Sequence, residues 1–372
     1  MEFKIEKAAL LSGLYLAQGI SDRKSTMPIL ANVLLRTDGK DKLLVAATDL
    51  NVTVTAELPC KVVHEGGLTV GAKHLHDIVK SLPGDDLLVK RTENQYAEIR
   101  AGKVDYKVVG MADRDFPKLP NHREVKFSKV DAATLRDMIA KTFFSISTDE
   151  TRYHLNGVLF ESDGKVARMV STDGHRLSKV ERPFDQHGGG PKLAQGIIIP
   201  RKGLMEVRRA LEAAEGAIEL GIHNGHLFVR VGTTALSVKL IDAQFPPYDQ
   251  VIPKENDKVA IAPRLALLEA LKRISIMSSD KTWGIKLAIA KGELKVASDN
   301  PDLGEAHETL DVSYDGAPLA IGFNAKYFIE LLGEMEGDEV KLELNGELDP
   351  GLVRPADGKA GSYLGVVMPM RI

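Results

Sequence analysis

The feature that most constrains this 372-residue chain is a short motif that recurs three times. Thr48-Asp49 closes the apolar run LLVAA, Thr172-Asp173 closes VARMV, and Ser298-Asp299 closes LKVA. These pairs are 124 and then 126 positions apart, and a Phe-Pro or Met-Pro pair follows late in each copy, at prolines 117, 246 and 369. A regular period is the sequence signature of repeated structural units. It predicts three similar domains, at residues 1–121, 122–253 and 254–372, joined near 120–124 and 253–257.

Each repeat presents its elements in a similar order. A short strand (EFKI, EVKF or DKVAI) leads into an amphipathic helix, and alternating strands, a second helix and further strands follow. The apolar spacing predicts first helices at about 7–19, 131–144 and 263–276, and second helices at about 72–82, 201–214 and 324–335. Helices mixed with strands and hairpin-like turns are typical of α+β domains with antiparallel sheets. Each Asp of the repeated pair is predicted to form an Asx turn after its strand.

The charge of the chain is unevenly distributed. The net charge is −3, which by itself argues against a nucleic-acid partner. Six windows around the predicted helices (7–24, 72–82, 129–147, 201–214, 263–281 and 324–335) hold 17 basic and 10 acidic residues, so they carry +7 and the remainder carries −10. Two explanations stay open at this point: basic residues on solvated helix faces, and helices gathered on one electropositive surface.

The remaining composition excludes several classes of protein. A single cysteine, Cys60, excludes an internal disulfide framework. No apolar stretch reaches the roughly 18 residues of a membrane span. The sequence has no signal-peptide pattern, and we expect a cytoplasmic location.

The segment VSTDGHRLSKV (170–180) has the composition of a catalytic site. Asp173 and His175 would need a nucleophile or a metal within hydrogen-bond reach. Asp173 has counterparts in the other repeats, whereas His175 and Arg176 are peculiar to the middle one. No phosphate loop, GxSxG elbow or HExxH motif accompanies them. The sequence therefore predicts no enzyme activity, metal or cofactor. A hydrolase using Asp173 and His175, and a groove-reading DNA-binding protein, stay open as alternatives.

Several long segments resemble one family, the bacterial DNA polymerase III beta subunits, which are replicative sliding clamps. They are RYHLNGVLFE, STDGHRLS, IIIPRKGLMEV, KLIDAQFPPYDQVIPKENDK, IGFNAKYFIELL and the terminal VVMPMRI. The resemblance implies a clamp fold of three domains, each with two helices on antiparallel sheets, forming half of a ring. Two copies would close head-to-tail around duplex DNA without reading its sequence. The clamp would tether the replicative polymerase, the clamp loader and repair or translesion polymerases through a short peptide.

The resemblance also implies three sets of functional residues. The peptide pocket would lie between the second and third domains and include Arg152, Leu155, Thr172, Gly174, His175, Arg176, Leu177, Pro246, Val251, Val366, Val367, Met368, Pro369, Met370 and Arg371. Arg152 and Arg176 would hold polar atoms of the peptide. Contacts to the DNA backbone would come from Arg23, Lys24, Lys80, Arg201 and Lys202.

The third set is the interface between two copies. The first-domain segment 103–108 alternates like an edge strand and would pair with 305–308 of the other copy. The residues implied are Lys103, Tyr106, Val108, Ile276, Met277, Glu305 and Glu308, with an ion pair between Lys103 and Glu308. Asp105 stands where a basic residue is expected and His307 replaces an acid, which predicts a weaker or pH-sensitive ring.

Overall fold

The computed structural model describes residues 1–22, 25–279, 282–357 and 363–371. The chain folds into two compact units. Unit 1 comprises Met1–Ala133, Asp185–Pro191 and Lys202–Leu240, and unit 2 comprises Thr134–Phe184, Lys192–Arg201 and Ile241–Ile372. The domain boundaries expected at 121 and 253 stay a prediction.

Six α-helices form within the described residues, each within a few positions of its predicted range. They are α1 (Lys7–Ile20), α2 (Ala72–Ser81), α3 (Ala132–Phe143), α4 (Arg201–Leu211), α5 (Arg264–Ser275) and α6 (Ala325–Gly333). Four 3₁₀ helices accompany them, at Pro28–Ala31, Asp113–Asp115, Glu150–Leu155 and Tyr248–Gln250.

The helices form where the apolar spacing and the caps favour them. In α4, Leu204, Val207 and Leu211 are buried on one face, as a 3.6-residue period requires. The Asn324 side chain caps α6 by accepting the backbone N–H of Lys326 at 2.9 Å, which satisfies one of the unpaired donors of the first turn. None of the helices in the described ranges is long and apolar enough to span a membrane.

Unit 1 is built on one antiparallel sheet of 13 strands. Its strands are β1 (Glu2–Glu6), β2 (Asn32–Asp38), β3 (Lys42–Thr48), β4 (Val52–Pro59), β5 (Lys61–His64), β6 (Gly67–Gly71), β7 (Asp86–Arg91), β8 (Tyr96–Ala101), β9 (Val104–Met111), β10 (Phe127–Asp131), β15 (Ala217–His223), β16 (His226–Val231) and β17 (Thr234–Lys239). Their order is β10-β15-β16-β17-β4-β3-β2-β6-β9-β8-β7-β1-β5. Helix α1 packs on β3, β4 and α2. Because β17 pairs with β4, the sheet joins strands of the first and second repeats.

The described residues of unit 2 form two antiparallel sheets, of eight and four strands. The strands are β11 (Gly157–Ser162), β12 (Val166–Thr172), β13 (Arg176–Pro183), β14 (Ile197–Pro200), β18 (Lys258–Pro263), β19 (Gly284–Ala290), β20 (Glu293–Asn300), β21 (Gly304–Asp311), β22 (Leu319–Asn324), β23 (Glu339–Leu344), β24 (Gly351–Pro355) and β25 (Tyr363–Val367). The larger sheet runs β14-β11-β12-β13-β25-β24-β23-β18, and the smaller runs β21-β20-β19-β22. Helix α5 packs on β20, β21 and α6. Strand β25 pairs with β13 on one side and β24 on the other, which joins the second and third repeats.

The prediction of α+β architecture with antiparallel sheets is confirmed, and two local predictions are wrong. The strand expected at EVKF begins only at Phe127, because Arg123 and Glu124 form a turn and the ladder to β15 starts at Phe127. The Asx turn expected at Asp299 is absent, because Asp299 lies within β20 and pairs with Glu305. The turn comes one residue later, where the Asn300 side chain accepts the Asp302 backbone N–H at 3.0 Å.

Candidate functional site

The turn between β12 and β13 is fixed by its own side chains. Asp173 Oδ1 accepts the backbone N–H groups of His175, at 2.9 Å, and Arg176, at 3.1 Å. Thr172 Oγ1 accepts the Gly174 N–H at 3.1 Å and donates to the Arg176 carbonyl at 2.6 Å. Gly174 has a φ of +90°, a conformation that side chains disfavour. The predicted Asx turn is therefore present, and the Asp173 carboxylate is engaged in holding it.

Arg176 connects this turn to the third repeat. Its Nε donates to Asp173 at 3.0 Å, its Nη2 to the Phe144 carbonyl at 2.5 Å, and its Nη1 pairs with Glu330 of α6. The guanidinium also stacks 4.5 Å from the centroid of the Tyr327 ring. All three nitrogens therefore have partners within unit 2, and the guanidinium holds neighbouring elements of that unit together. That Arg176, which also lines the cavity described below, holds polar atoms of a peptide stays a prediction. Glu330 and Tyr327 were not identified from the sequence.

The C-terminal segment is anchored on both sides after β25. The Met368 N–H donates to the His175 carbonyl at 2.9 Å, and the Met370 N–H donates to the Gly322 carbonyl at 2.8 Å. Val366 and Val367 are buried in the sheet, whereas Met368 keeps 39% of its surface exposed. A flexible, polarizable thioether is thus held at the surface beside the 172–176 turn.

These elements enclose a cavity of about 230 Å³, which we call the motif pocket. Its lining residues are Leu155, Thr172, Gly174, Arg176, Leu177, Pro246, Pro247, Tyr248, Val251, Val366 and Met368. Leu177, Tyr248 and Val366 belong to the buried apolar cluster beneath it. A concave, mostly apolar surface with a few polar groups at its rim is the usual form of a ligand site.

The sequence identified most of this lining but not all of it. Pro247 and Tyr248 were missed, although they lie between the predicted Pro246 and Val251. The cavity lining does not include the other predicted residues, which are Arg152, His175, Val367, Pro369, Met370 and Arg371. Arg152 lies beside the turn, because a Cβ on Gly174 would come 2.8 Å from its Nη1, and its Nε pairs with Asp149 at 3.0 Å. His175 is exposed and contributes its carbonyl to the anchoring of the tail.

Tyr248 lines the motif pocket and is held in place by a polar network. Its hydroxyl donates to Glu161 Oε2 at 2.9 Å, and Arg168 Nη1 donates to the same carboxylate at 3.1 Å. Burial and the hydrogen bond to Glu161 raise the pKa of Tyr248 to about 12. The hydrogen bond to Glu161 and the burial of the side chain keep the Tyr248 ring fixed in the wall of the pocket.

The five residues proposed for DNA contact differ in how far the structure describes them, in their exposure and in their partners. Arg23 and Lys24 lie outside the described residues. Lys80 is exposed in the last turn of α2. Arg201 is half-buried, with its guanidinium 4.6 Å from the centroid of the Phe143 ring. Lys202 is exposed and forms an ion pair with Asp49.

The two strands expected at an interface between copies each have an edge that no strand of the described residues pairs with along its length. Strand β9 pairs with β8 along its length but with β6 only through Gly110 and Met111, and β21 ends the four-stranded sheet. The remaining predicted interface residues lie on or near these strands. Lys103, Tyr106 and Glu305 are exposed, Val108 and Met277 are half-buried, and Ile276 keeps 75% of its surface exposed.

One charged residue on each of these strands, Asp105 of β9 and Glu308 of β21, already has a partner. Glu308 accepts two hydrogen bonds from Arg273, at 3.0 and 2.6 Å. Its carboxylate therefore has a partner within the same chain, in addition to the Lys103 expected from the other copy. Asp105 lies 2.7 Å from Arg100 Nε, so its unexpected negative charge is compensated within β8 and β9. The paired Arg100 lessens the electrostatic penalty that Asp105 would otherwise bring to an interface.

Comparisons with known proteins agree along the whole chain. The family models for the N-terminal, central and C-terminal domains of the DNA polymerase III beta subunit match residues 1–120, 129–247 and 249–371. A beta sliding clamp of Pseudomonas putida is 36% identical over 375 residues, with all of both chains covered. The crystal structure of a Pseudomonas aeruginosa DNA polymerase sliding clamp with ligand has a TM-score of 0.92 and 33% identity over all of both chains. A sliding clamp of the same organism bound to griselimycin gives 0.92 and 34%, again over all of both chains. The chain belongs to the DNA polymerase III beta subunit family, and its fold is that of the sliding clamps.

Proposed function

We propose that the protein is the processivity clamp of a replicative DNA polymerase. Two copies close head-to-tail around duplex DNA, and the closed dimer tethers the polymerase while it moves along the template. The clamp performs no catalysis and acts in the cytoplasm. Family membership over the entire chain supports this proposal. The engagement of Asp173 in its turn also speaks against the hydrolase alternative.

The motif pocket is where partner proteins attach. Its walls are largely apolar, and Val251 and Met368 are accessible at its rim, so an extended peptide with two or three apolar side chains fits its chemistry. This cavity is the single observation that carries the assignment of partner binding. The replicative polymerase, the clamp loader and repair or translesion polymerases would compete for it through similar short peptides.

DNA is held by enclosure and by weak contacts to its phosphates. The excess of basic residues around the helices attracts the DNA backbone without reading base edges, and the acidic remainder disfavours binding elsewhere. Lys80 is the described candidate with the simplest role, because it is exposed at a helix C-terminus. Arg201 and Lys202 would contribute while keeping their partners Phe143 and Asp49.

The ring closes when β9 of one copy pairs with β21 of the other. Pairing satisfies the backbone groups of both edges, which would otherwise promote aggregation. Tyr106 and Val108 would pack against Ile276 and Met277 of the partner copy, and Glu305 and Lys103 would lie at the rim. Since Glu308 is paired with Arg273, Lys103 would join an existing ion pair rather than form a new one.

Peptide binding tests the pocket directly. We expect Val251→Asp to weaken binding of a peptide from the replicative polymerase by about tenfold or more, because loss of one apolar contact of this size costs about 1.5 kcal/mol. Val251 is half-exposed, so the fold tolerates the change. Val259→Asp on β18, an exposed valine outside the pocket, is the matched control and should bind like the unmodified protein. Equal affinities of all three proteins, measured by fluorescence anisotropy, would place the peptide site elsewhere.

A further inference from the structure

A second cavity, of about 600 Å³, adjoins the motif pocket, and we call it the flanking groove. Its lining residues are Leu159, Glu161, Gln195, Gly196, Ile198, Ala243, Gln244, Phe245, Pro246, Pro247, Tyr248, Asp249 and Gln250. The segment Pro246–Tyr248 lines both cavities and forms the wall between them. A partner peptide bound in the motif pocket is therefore separated from the flanking groove only by these three residues.

The charged residues that line the flanking groove are both acidic. Only Glu161 and Asp249 carry charge among its lining residues, and three glutamines supply neutral amides. Glu161 is compensated by Arg168 at 3.1 Å. Asp249 is 75% exposed, and Lys179 lies 3.9 Å from it. An aspartate so weakly paired is available to a cationic ligand.

The shape of the groove is fixed by its surroundings. A Cβ on Gly196 would come 2.7 Å from Leu159 Cδ1 and 3.1 Å from Glu161 Cγ, so a larger residue at 196 would collide with the groove wall. Glu161 is held by Tyr248 and Arg168, and Tyr248 is buried in the apolar cluster beneath both cavities. The groove is therefore a preformed part of the same framework that shapes the motif pocket.

We propose that the flanking groove is a second subsite for the partner chain. It receives the residues next to the apolar motif, and Asp249 selects lysine or arginine among them. An extended chain advances about 3.3 Å per residue, so a few residues beyond the motif suffice to pass the wall. The proposal rests on the proposed function of the motif pocket, and it predicts that partners differ in affinity through their flanking charge.

The test compares peptides that differ only outside the motif. One peptide carries the short apolar segment of the replicative polymerase, and others extend it by Gly-Lys-Lys or Gly-Glu-Glu at either end. We expect the lysine extension at one end to bind about fivefold tighter than the glutamate extension at that end, as one partly exposed ion pair allows. Asp249→Asn should abolish that preference, and Gln195→Trp, at an exposed position of the groove wall, should weaken the extended peptides alone.

Two controls separate the outcomes. Asp242→Asn removes an exposed carboxylate from the same segment outside the groove and should keep the lysine preference. The short peptide should bind all variants equally. If lysine and glutamate extensions bind alike, or if Asp249→Asn keeps the preference, the subsite is wrong while the motif pocket stands. If the short peptide fails to bind the unmodified protein, the proposed function fails and the subsite with it.

Discussion

The turns that follow β3 and β12 have the same backbone scaffold and different surroundings. In the first, Asp49 accepts the N–H groups of Asn51 and Val52 at 2.9 and 2.6 Å, as Asp173 does for His175 and Arg176. Thr48 accepts the Leu50 N–H at 3.0 Å, as Thr172 does for Gly174. The third residue of each turn has a positive φ, +74° at Leu50 and +90° at Gly174.

The two turns differ in three consecutive side chains. Where the middle turn has Gly174, His175 and Arg176, the first has Leu50, Asn51 and Val52. Arg176 contacts Glu330 and Tyr327, whereas Val52, at the same position of the first turn, is a buried strand residue. In the first turn the cation that pairs with the aspartate is Lys202, which contacts Asp49. The two repeats therefore share the hydrogen bonds that shape the turn. The motif pocket lies beside the middle turn, where Arg176 replaces a valine and Gly174 replaces a leucine.

Breaking the Arg176 contacts should have the largest effect. We expect Arg176→Met to lower the free energy of unfolding of the protein by about 3 kcal/mol, because it leaves Glu330 and Asp173 without their buried partner. Peptide affinity should fall as well, since the turn and α6 lose their connection. Urea unfolding and anisotropy measure the two effects.

Arg36→Met provides the matched control for that change. Arg36 is an exposed arginine with one ion pair, to Asp113, so the expected loss is within about 0.5 kcal/mol. If both substitutions lower stability equally, Arg176 does not have the connecting role assigned to it.

Exchanging the third residue of the two turns should give effects of opposite sign. Leu50→Gly relieves a left-handed conformation that costs a side chain about 1–2 kcal/mol, so it should raise the melting temperature. Gly174→Leu imposes the same strain and brings a side chain against Arg152, so it should lower the melting temperature and impair peptide binding. Calorimetry of both variants checks this, and shifts of the same sign would contradict the comparison of the two turns.

The pH dependence beside the first turn should be the smallest effect. Glu206 of α4 is buried, and this burial raises its pKa despite Arg209 Nη1 at 3.0 Å. The folded state therefore holds a proton that the unfolded chain releases, and the stability from Glu206 is present at acid pH and lost as pH rises through the raised pKa.

Glu206→Gln should remove that loss and flatten the pH profile of the melting temperature above the ordinary pKa of a glutamate. Glu212→Gln, on an exposed residue that follows α4, should leave the profile unchanged. A profile for Glu206→Gln that parallels the unmodified protein would show that Glu206 does not hold the proton.

The sequence predicted most of this architecture because its signals are local. Apolar periodicity located the six helices, and the Thr-Asp pairs located two of the three turns. The third failed because β20 continues through Asp299, since pairing with β21 outweighs a local Asx preference. The partners of Arg176 could not be predicted, since Glu330 and Tyr327 are more than 150 positions away and only the fold brings them to the turn.

Retention on DNA tests the central claim, that the protein encloses its template, most directly. The protein is loaded onto closed circular duplex DNA with a bacterial clamp loader and ATP, and the circle is then cut once with a restriction enzyme. We expect the protein to stay on the intact circle and to leave when the DNA becomes linear. Retention on the linear DNA would contradict enclosure and show that direct contacts hold the protein in place.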